Sequence, residues 1–149
     1  MGPDTKFLLV DDFSTMRRIV KTFLHDLGYP NVQEAEDGNA ALPMLKAGDF
    51  DFLITDWNIP GMPGLELLKA VRVDPKLAKL PVLLLAPPLR PEQIAQATQA
   101  GVSGYVVRPF TSRTLKEKLD RILHDKPSGR RTPSGRWLPG LESNQRPTD

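Results

Sequence analysis

Acidic side chains follow two apolar runs of this sequence, at positions where they could bind a metal ion. Asp11 and Asp12 come directly after residues 7–10 (FLLV), and Asp56 comes directly after residues 52–55 (FLIT). Three carboxylates that met in one crevice would repel one another and destabilise a fold, unless a cation neutralised them. Mg²⁺ suits such a group because it prefers oxygen ligands in octahedral geometry, usually carboxylates together with waters.

The predicted magnesium site takes its ligands from these aspartates and from the loop that follows Asp56. We expect Asp12 and Asp56 to bind the ion directly, together with the backbone carbonyl of Asn58, and Asp11 to act mainly through a bound water. Each aspartate alone has another explanation, since aspartates after strands are often helix caps or solvated loop residues.

An arginine followed by proline makes the pattern more specific. Arg108 and Pro109 come after a further apolar run, residues 105–107. There the guanidinium could contact a phosphoryl group near the aspartates, although Arg108 taken alone could equally be an ordinary surface residue. The combination of all these residues, each at the end of a predicted strand, favours a site for a cation and a phosphoryl group.

A regular alternation of apolar runs and amphipathic stretches positions these residues. It predicts strands at 7–10, 31–35, 52–55, 82–85 and 105–107, and helices at 16–27, 39–47, 64–73, 92–100 and from about 112, with Thr111 as N-cap. This order indicates a parallel α/β sheet covered on both faces. Ligands of such sheets bind beyond the carboxyl ends of the strands, where the strand order reverses. The aspartates meet there if the first and third strands are neighbours.

The first and last helices have a clear apolar face, whereas the second contains a conflict. The apolar faces consist of Met16, Ile19, Val20, Phe23, Leu24 and Leu27 in the first helix, and of Leu115, Leu119, Ile122 and Leu123 in the last. Pro43 falls inside the second helix, where a proline removes a hydrogen bond and costs ~3 kcal/mol. We therefore expect that helix to be short, kinked or begun late.

Composition limits the class of protein. The 149 residues, 40% hydrophobic and 26% charged, fit one globular domain. The chain has no cysteine, which excludes disulfides, thiolate metal sites and cysteine nucleophiles. It shows no signal-peptide pattern and no apolar run near the ~20 residues that span a bilayer, so we expect a cytoplasmic protein without membrane insertion.

The charge and the periodic pattern both change near residue 126. Residues 1–126 carry 16 Lys+Arg and 16 Asp+Glu, so the net charge of +2 comes from the remainder. We expect no nucleic-acid partner, since no clustered basic face is visible. Residues 127–149 are rich in Pro, Gly, Ser and Arg without an apolar face, which predicts a domain over 1–126 and a disordered tail. Trp137 in that tail is an alternative candidate for a short docking anchor.

Motifs spread over residues 5–125 make the chain similar to the receiver-domain family of response regulators, and most of all to its single-domain chemotaxis members. These motifs read VDDFSTMRRIV, EAEDG, DWNIPGMPGLELL, AGVSGYVV and RPF. The resemblance implies a flavodoxin-like (βα)5 fold, a doubly wound parallel five-stranded sheet with the strand order 2-1-3-4-5. It also implies that the Arg108–Pro109 peptide bond could be cis.

The resemblance implies a Mg²⁺-dependent switch in two-component chemotaxis signalling. Asp56 matches the aspartate that accepts a phosphoryl group from a histidine kinase, and Arg108 stands where the family has a phosphoryl-contacting lysine. Tyr105 matches an aromatic residue that turns inward on activation, although such a residue is also ordinary half-buried packing. The implied output is binding of a monomer to the flagellar motor switch protein, and a phosphatase is a further partner. The chain would catalyse only its own phosphorylation and dephosphorylation.

Two positions depart from the family pattern. Ala86, followed by Pro87 and Pro88, stands where the family has a serine or threonine, and Arg108 replaces the lysine. At position 86, the loss of a hydrogen bond to a charged group costs ~1.5–3 kcal/mol. At position 108, the planar guanidinium of arginine replaces the compact ammonium group of lysine. An alternative is therefore a degenerate receiver, which would be a phosphorylation-independent interaction module or a phosphate sink.

Two other classes fit the sequence less well. An aspartate phosphatase would need two aspartates spaced by one residue after the first strand, but here they are adjacent. A flavodoxin would need a phosphate-binding loop at that point, and DDFS offers carboxylates instead. Trp57, beside Asp56, is interpreted either as a residue at the mouth of the pocket or as surface packing.

Overall fold

Every predicted strand and helix is present, with bounds within two residues of the predicted ones. The computed structural model describes residues 2–124, so the predicted tail at 127–149, Trp137 and the domain boundary at 126 lie outside the described residues. The strands are β1 (Phe7–Val10), β2 (Val32–Ala35), β3 (Phe52–Asp56), β4 (Val82–Ala86) and β5 (Gly104–Val107). The helices are α1 (Ser14–Asp26), α2 (Gly38–Ala47), α3 (Gly64–Val73), α4 (Pro91–Gln99) and α5 (Ser112–His124).

The sheet is parallel throughout and has the order β2-β1-β3-β4-β5, which confirms the predicted flavodoxin-like topology. The chain runs from β1 outward to β2 and then returns to the other side of β1 with β3. The strand order therefore reverses between β1 and β3. Val10 pairs with Thr55 in this register, so the residues that follow them reach the same edge of the sheet.

Both faces of the sheet are buried, as the apolar strands predict. In β1, Phe7 and Leu9 belong to one apolar cluster, while Leu8 and Val10 belong to the other. Helices α2, α3 and α4 cover the face of Leu8, and α1 and α5 cover the face of Phe7. The sheet thus lies between two hydrophobic cores. The carboxyl ends of its strands form one edge, here called the carboxyl edge, where the loops that follow the strands begin.

The predicted apolar faces of α1 and α5 pack on the sheet, with one exception. Val20, Leu24, Leu115 and Leu119 are buried, and the remaining predicted residues other than Ile19 are partly buried against them. Ile19 is 40% exposed, so its place in the buried face was predicted wrongly. The apolar stripe of α1 is wider than the surface that the sheet and α5 cover. Thr111 caps α5 as predicted, because its Oγ1 accepts a hydrogen bond from the Thr114 N–H at 3.2 Å.

Helix α2 is 10 residues long and continues through Pro43. Of the effects expected of that proline, a short helix fits the structure and a late start does not. The helix begins at Gly38 because the Asp37 side chain caps it and accepts a hydrogen bond from the Ala40 N–H at 2.7 Å. Asn39, whose carbonyl would accept the hydrogen bond that proline lacks, is exposed, and so is Pro43. Water can therefore solvate that carbonyl. The helices within residues 2–124 are all too short or too polar to span a bilayer.

Candidate functional site

The three predicted aspartates meet at the carboxyl edge of β1 and β3. One carboxylate oxygen from each of Asp11, Asp12 and Asp56 lies within 4.8 Å of the others. Asp56 is 1% exposed and Asp11 is fully buried, whereas Asp12 is exposed. Adjacent strands in register produce this arrangement, so the predicted convergence is confirmed. The ligand role of each aspartate stays a prediction.

Asp11 is the most strongly perturbed member of this acidic cluster. Its Oδ1 accepts a hydrogen bond from the Phe13 N–H at 2.9 Å, but its buried Oδ2 has no partner within residues 2–124. Burial raises the pKa of Asp11 to about 6, and the nearby Asp56 carboxylate adds to the rise. A buried carboxylate oxygen without a donor costs free energy. A divalent cation or its bound water would relieve that cost, so the residues fit Mg²⁺.

Arg108 contacts the buried aspartate at the carboxyl end of β3. Its Nη1 donates a hydrogen bond to Asp56 Oδ1 at 2.9 Å, and its side chain is 24% exposed. The backbone directs it there, since the Arg108 N–H bonds the carbonyl of Ala86, the last residue of β4, at 2.8 Å. Arg108 is therefore not an ordinary surface arginine. The Arg108–Pro109 peptide bond is cis.

The loop after β3 stays beside the carboxylates. The Asn58 N–H approaches Asp56 Oδ1 at 3.4 Å, which places the predicted ligand Asn58 at the site, and its carbonyl remains a predicted ligand. Trp57 is partly buried and packs against the core that α2 and α3 cover. The structure thus shows its packing, and its place at the mouth of the pocket stays a prediction.

The two predicted switch positions are embedded in packed structure. Ala86 is fully buried at the end of β4, one residue beyond Leu85, which pairs with Asp56. Tyr105 on β5 is partly buried against the same core as Trp57, and Lys118 Nζ lies 5.6 Å from its ring centroid. Tyr105 is therefore seen in ordinary half-buried packing. Its inward turn on activation stays a prediction.

Two residues that support the site were missed from the sequence. Arg17 donates to the carbonyl of Asp11 through Nη1 at 2.6 Å and to Glu34 Oε1 through Nε at 2.8 Å, so it ties the end of β1 to β2. Gly64 packs so closely on the Asp56 backbone that a Cβ there would overlap the Asp56 carbonyl oxygen. Two features of the sequence could have indicated them: the glycine at the start of α3 and the arginine six residues after Asp11.

Known proteins resemble this chain over most of its length. The sequence model of the response regulator receiver domain matches residues 7–120. The chemotaxis protein CheY-3 of Vibrio cholerae is 62% identical over 123 residues, which is 83% of this chain and 95% of that protein. The chemotaxis protein CheY of Pseudomonas aeruginosa is 60% identical over 118 residues, or 79% and 95% of the two chains.

A solved structure shares the fold. The response regulator CheY4 of Vibrio cholerae has a TM-score of 0.74 and 37% sequence identity, and the match covers 79% of this chain and 98% of that one. Family, topology and the position of the acidic cluster agree with one another. The chain therefore belongs to the response regulator receiver domain family and is a CheY-like chemotaxis response regulator.

Proposed function

We propose that Asp56 accepts a phosphoryl group from the phosphohistidine of a histidine kinase, and that Mg²⁺ is required. The observation that carries this proposal is the meeting of three carboxylates within 4.8 Å, one of them with an unpartnered buried oxygen. The bond between phosphorus and the histidine nitrogen breaks, a bond from phosphorus to an Asp56 oxygen forms, and the nitrogen takes up a proton. Aspartate is a known nucleophile of this kind.

The residues of the chain contribute charge and position. Asp12, Asp56 and the Asn58 carbonyl would hold the ion, with Asp11 behind a bound water. Mg²⁺, when bound, neutralises charge on the carboxylates and on the transferred phosphoryl group. Arg108 already holds one Asp56 oxygen, and its positive charge is placed to stabilise the phosphoryl oxygens.

The proposed output is binding to the flagellar motor switch protein in the cytoplasm, by a monomer. Its support is the similarity to chemotaxis proteins. The face formed by α4, β5 and α5 would carry the contact, with the partly buried Tyr105 as the residue that responds. A phosphatase would end the signal. The chain catalyses no other reaction in this proposal.

Mass spectrometry after incubation with acetyl phosphate tests the acceptor. We expect one phosphoryl adduct on the parent with Mg²⁺, and none with EDTA or in Asp56→Asn. Asp51→Asn is the matched control, because Asp51 precedes the opposite end of β3 and is exposed. An adduct that persists in Asp56→Asn, or a parent that never forms one, would contradict the proposal.

A second function is favoured by one specific contact. Arg108 pairs with Asp56 before any phosphorylation, and the neighbouring Ala86 offers no hydroxyl. This arrangement suits a degenerate receiver that binds partners in either state or only drains phosphate from the kinase. Affinity for a motor-switch peptide, measured with and without acetyl phosphate, separates the two functions. Equal affinities would favour the degenerate receiver.

A further inference from the structure

The segment after β4 offers few hydrogen-bond donors to the site. Ala86 ends β4 with a methyl group, and Pro87 and Pro88 have no backbone N–H. The next residues turn into α4, where the Arg90 N–H is already bonded to Gln93 Oε1 at 2.9 Å. A phosphoryl group on Asp56 would therefore find few hydrogen-bond donors in this segment.

Arg108 is placed to supply them. The ends of β3, β4 and β5 are tied together, because the Trp57 N–H bonds the Leu85 carbonyl and the Arg108 N–H bonds the Ala86 carbonyl, both at 2.8 Å. This holds the start of the Arg108 side chain next to Ala86. Within residues 2–124, the guanidinium makes one hydrogen bond to protein, from Nη1 to Asp56 Oδ1. The other N–H groups of its fork remain for a ligand.

The other side chains of the site are poor substitutes for this fork. Asp11 and Asp12 carry negative charge and repel phosphoryl oxygens. Arginine binds phosphate through two parallel hydrogen bonds, which a lysine ammonium does not reproduce. When Asp56 becomes an acyl phosphate, the negative charge moves from its carboxylate to the phosphoryl oxygens, and the guanidinium is expected to follow that charge.

We propose that Arg108 is a bidentate phosphoryl anchor, which supplies through one side chain both the positive charge and the hydrogen bonds that the end of β4 lacks. The inference rests on the proposed function of Asp56. In this proposal, the two departures from the family pattern compensate each other. Arg108 supplies the hydrogen bonds that are lost where Ala86 replaces a serine or threonine.

Binding of beryllium fluoride, a phosphoryl mimic that adds to aspartate in the presence of Mg²⁺, provides a readout that needs no kinase. Trp57 emission reports binding in a full-length Trp137→Phe background, where Trp57 is the one remaining tryptophan. We expect Arg108→Lys to weaken binding by about 10-fold or more, the loss of one hydrogen bond to a charged group. Arg113→Lys, on an exposed part of α5, should stay within about 2-fold of the parent.

Two substitutions at position 86 test the coupling. In the Arg108→Lys background, Ala86→Ser adds a donor, while Ala86→Cys adds similar bulk with a weak one. The serine should restore affinity to within about 3-fold of the parent, and the cysteine should not. Circular dichroism checks that each variant is folded. If the serine variant is unfolded, the comparison of beryllium fluoride affinity between Arg108→Lys and the parent decides the test.

The outcomes separate the two proposals. Unchanged affinity in Arg108→Lys, or the same affinity with serine and cysteine, overturns the anchor while the function of Asp56 stands. A folded parent that fails to bind beryllium fluoride with Mg²⁺ overturns both proposals.

Discussion

Arg108 donates a hydrogen bond from Nη1 to Asp56 Oδ1 at 2.9 Å, although the two residues are 52 positions apart in sequence. The parallel sheet brings the ends of β3, β4 and β5 to one edge, with Ala86 at the end of β4 between the two residues. The candidate acceptor is thereby a partly neutralised carboxylate inside an acidic cluster.

Removal of the guanidinium should destabilise the metal-free protein. Arg108→Ala leaves the buried Asp56 carboxylate without its cation beside Asp11, and an uncompensated buried charge is costly. Because Arg108 is partly exposed, we expect a loss of about 2 kcal/mol in the free energy of unfolding. Urea denaturation in EDTA measures it, with Arg113→Ala as the exposed control. A loss no larger than that of Arg113→Ala would show that the ion pair contributes nothing.

The raised pKa of Asp11 predicts a pH dependence of stability without metal. The folded pKa is about 6 and the ordinary value is 3.8, so the folded state binds more protons than the unfolded state between them. The contribution of Asp11 to stability therefore falls as pH rises through that window, and stays constant above it. Asp11→Asn should gain stability relative to the parent from about pH 4 to about pH 7.

Urea midpoints in EDTA across that window measure the Asp11 effect. Asp49→Asn, at an exposed loop position, is the control and should follow the parent. A difference between Asp11→Asn and the parent that does not change with pH would contradict the assignment.

Close packing of α3 on β3 makes Gly64 sensitive to any side chain. Gly64→Ala puts a Cβ onto the Asp56 carbonyl, so the start of α3 or the end of β3 must move. Overpacking of this kind costs about 1–3 kcal/mol. We expect lower thermal stability and weaker Mg²⁺ binding together. Gly2→Ala, where nothing lies within 4 Å of the new Cβ, should change neither quantity. Normal behaviour of both variants would mean that the contact is unimportant.

Arg17 is expected to matter through the backbone of Asp11. Arg17→Met keeps the apolar stem but removes the donors to the Asp11 carbonyl and to Glu34. Mg²⁺ affinity should fall by about 3-fold to 10-fold, since hydrogen bonds of a charged group to the protein are lost. Calorimetric titration measures the Mg²⁺ affinity of Arg17→Met and that of the control Arg18→Met, in which the substituted residue is an exposed neighbour on the same helix. Equal affinities in the two variants would exclude this role.

The sequence was informative wherever a pattern is local. Apolar runs that end in aspartate predicted β1 and β3, and the threonine just before the last helix predicted the cap of α5. The late start considered for α2 did not occur, because the proline penalty was weighed without the solvation of an exposed helix face. The prediction that Ile19 is buried was wrong for a related reason. Periodicity gives the width of an apolar stripe, but it does not show how much of that stripe other elements cover.

Contacts between distant segments could not be predicted in the same way. The bonds of Arg17 depend on how β1 and β2 are aligned, and the contact of Gly64 depends on the path of the loop after β3. Neither leaves a periodic trace in the sequence. The convergence of the aspartates was predictable because one general rule for parallel sheets places strand ends together.

Both proposals depend on the three carboxylates forming one magnesium site. The direct measurement is a Mg²⁺ titration of the full chain with Trp137→Phe, followed by Trp57 emission and repeated with Asp12→Asn and Asp51→Asn. We expect saturable quenching at about millimolar Mg²⁺ or below in the parent and in Asp51→Asn, and loss of that quenching in Asp12→Asn. Emission that Mg²⁺ leaves unchanged, together with no heat of binding by calorimetry, would contradict the magnesium site.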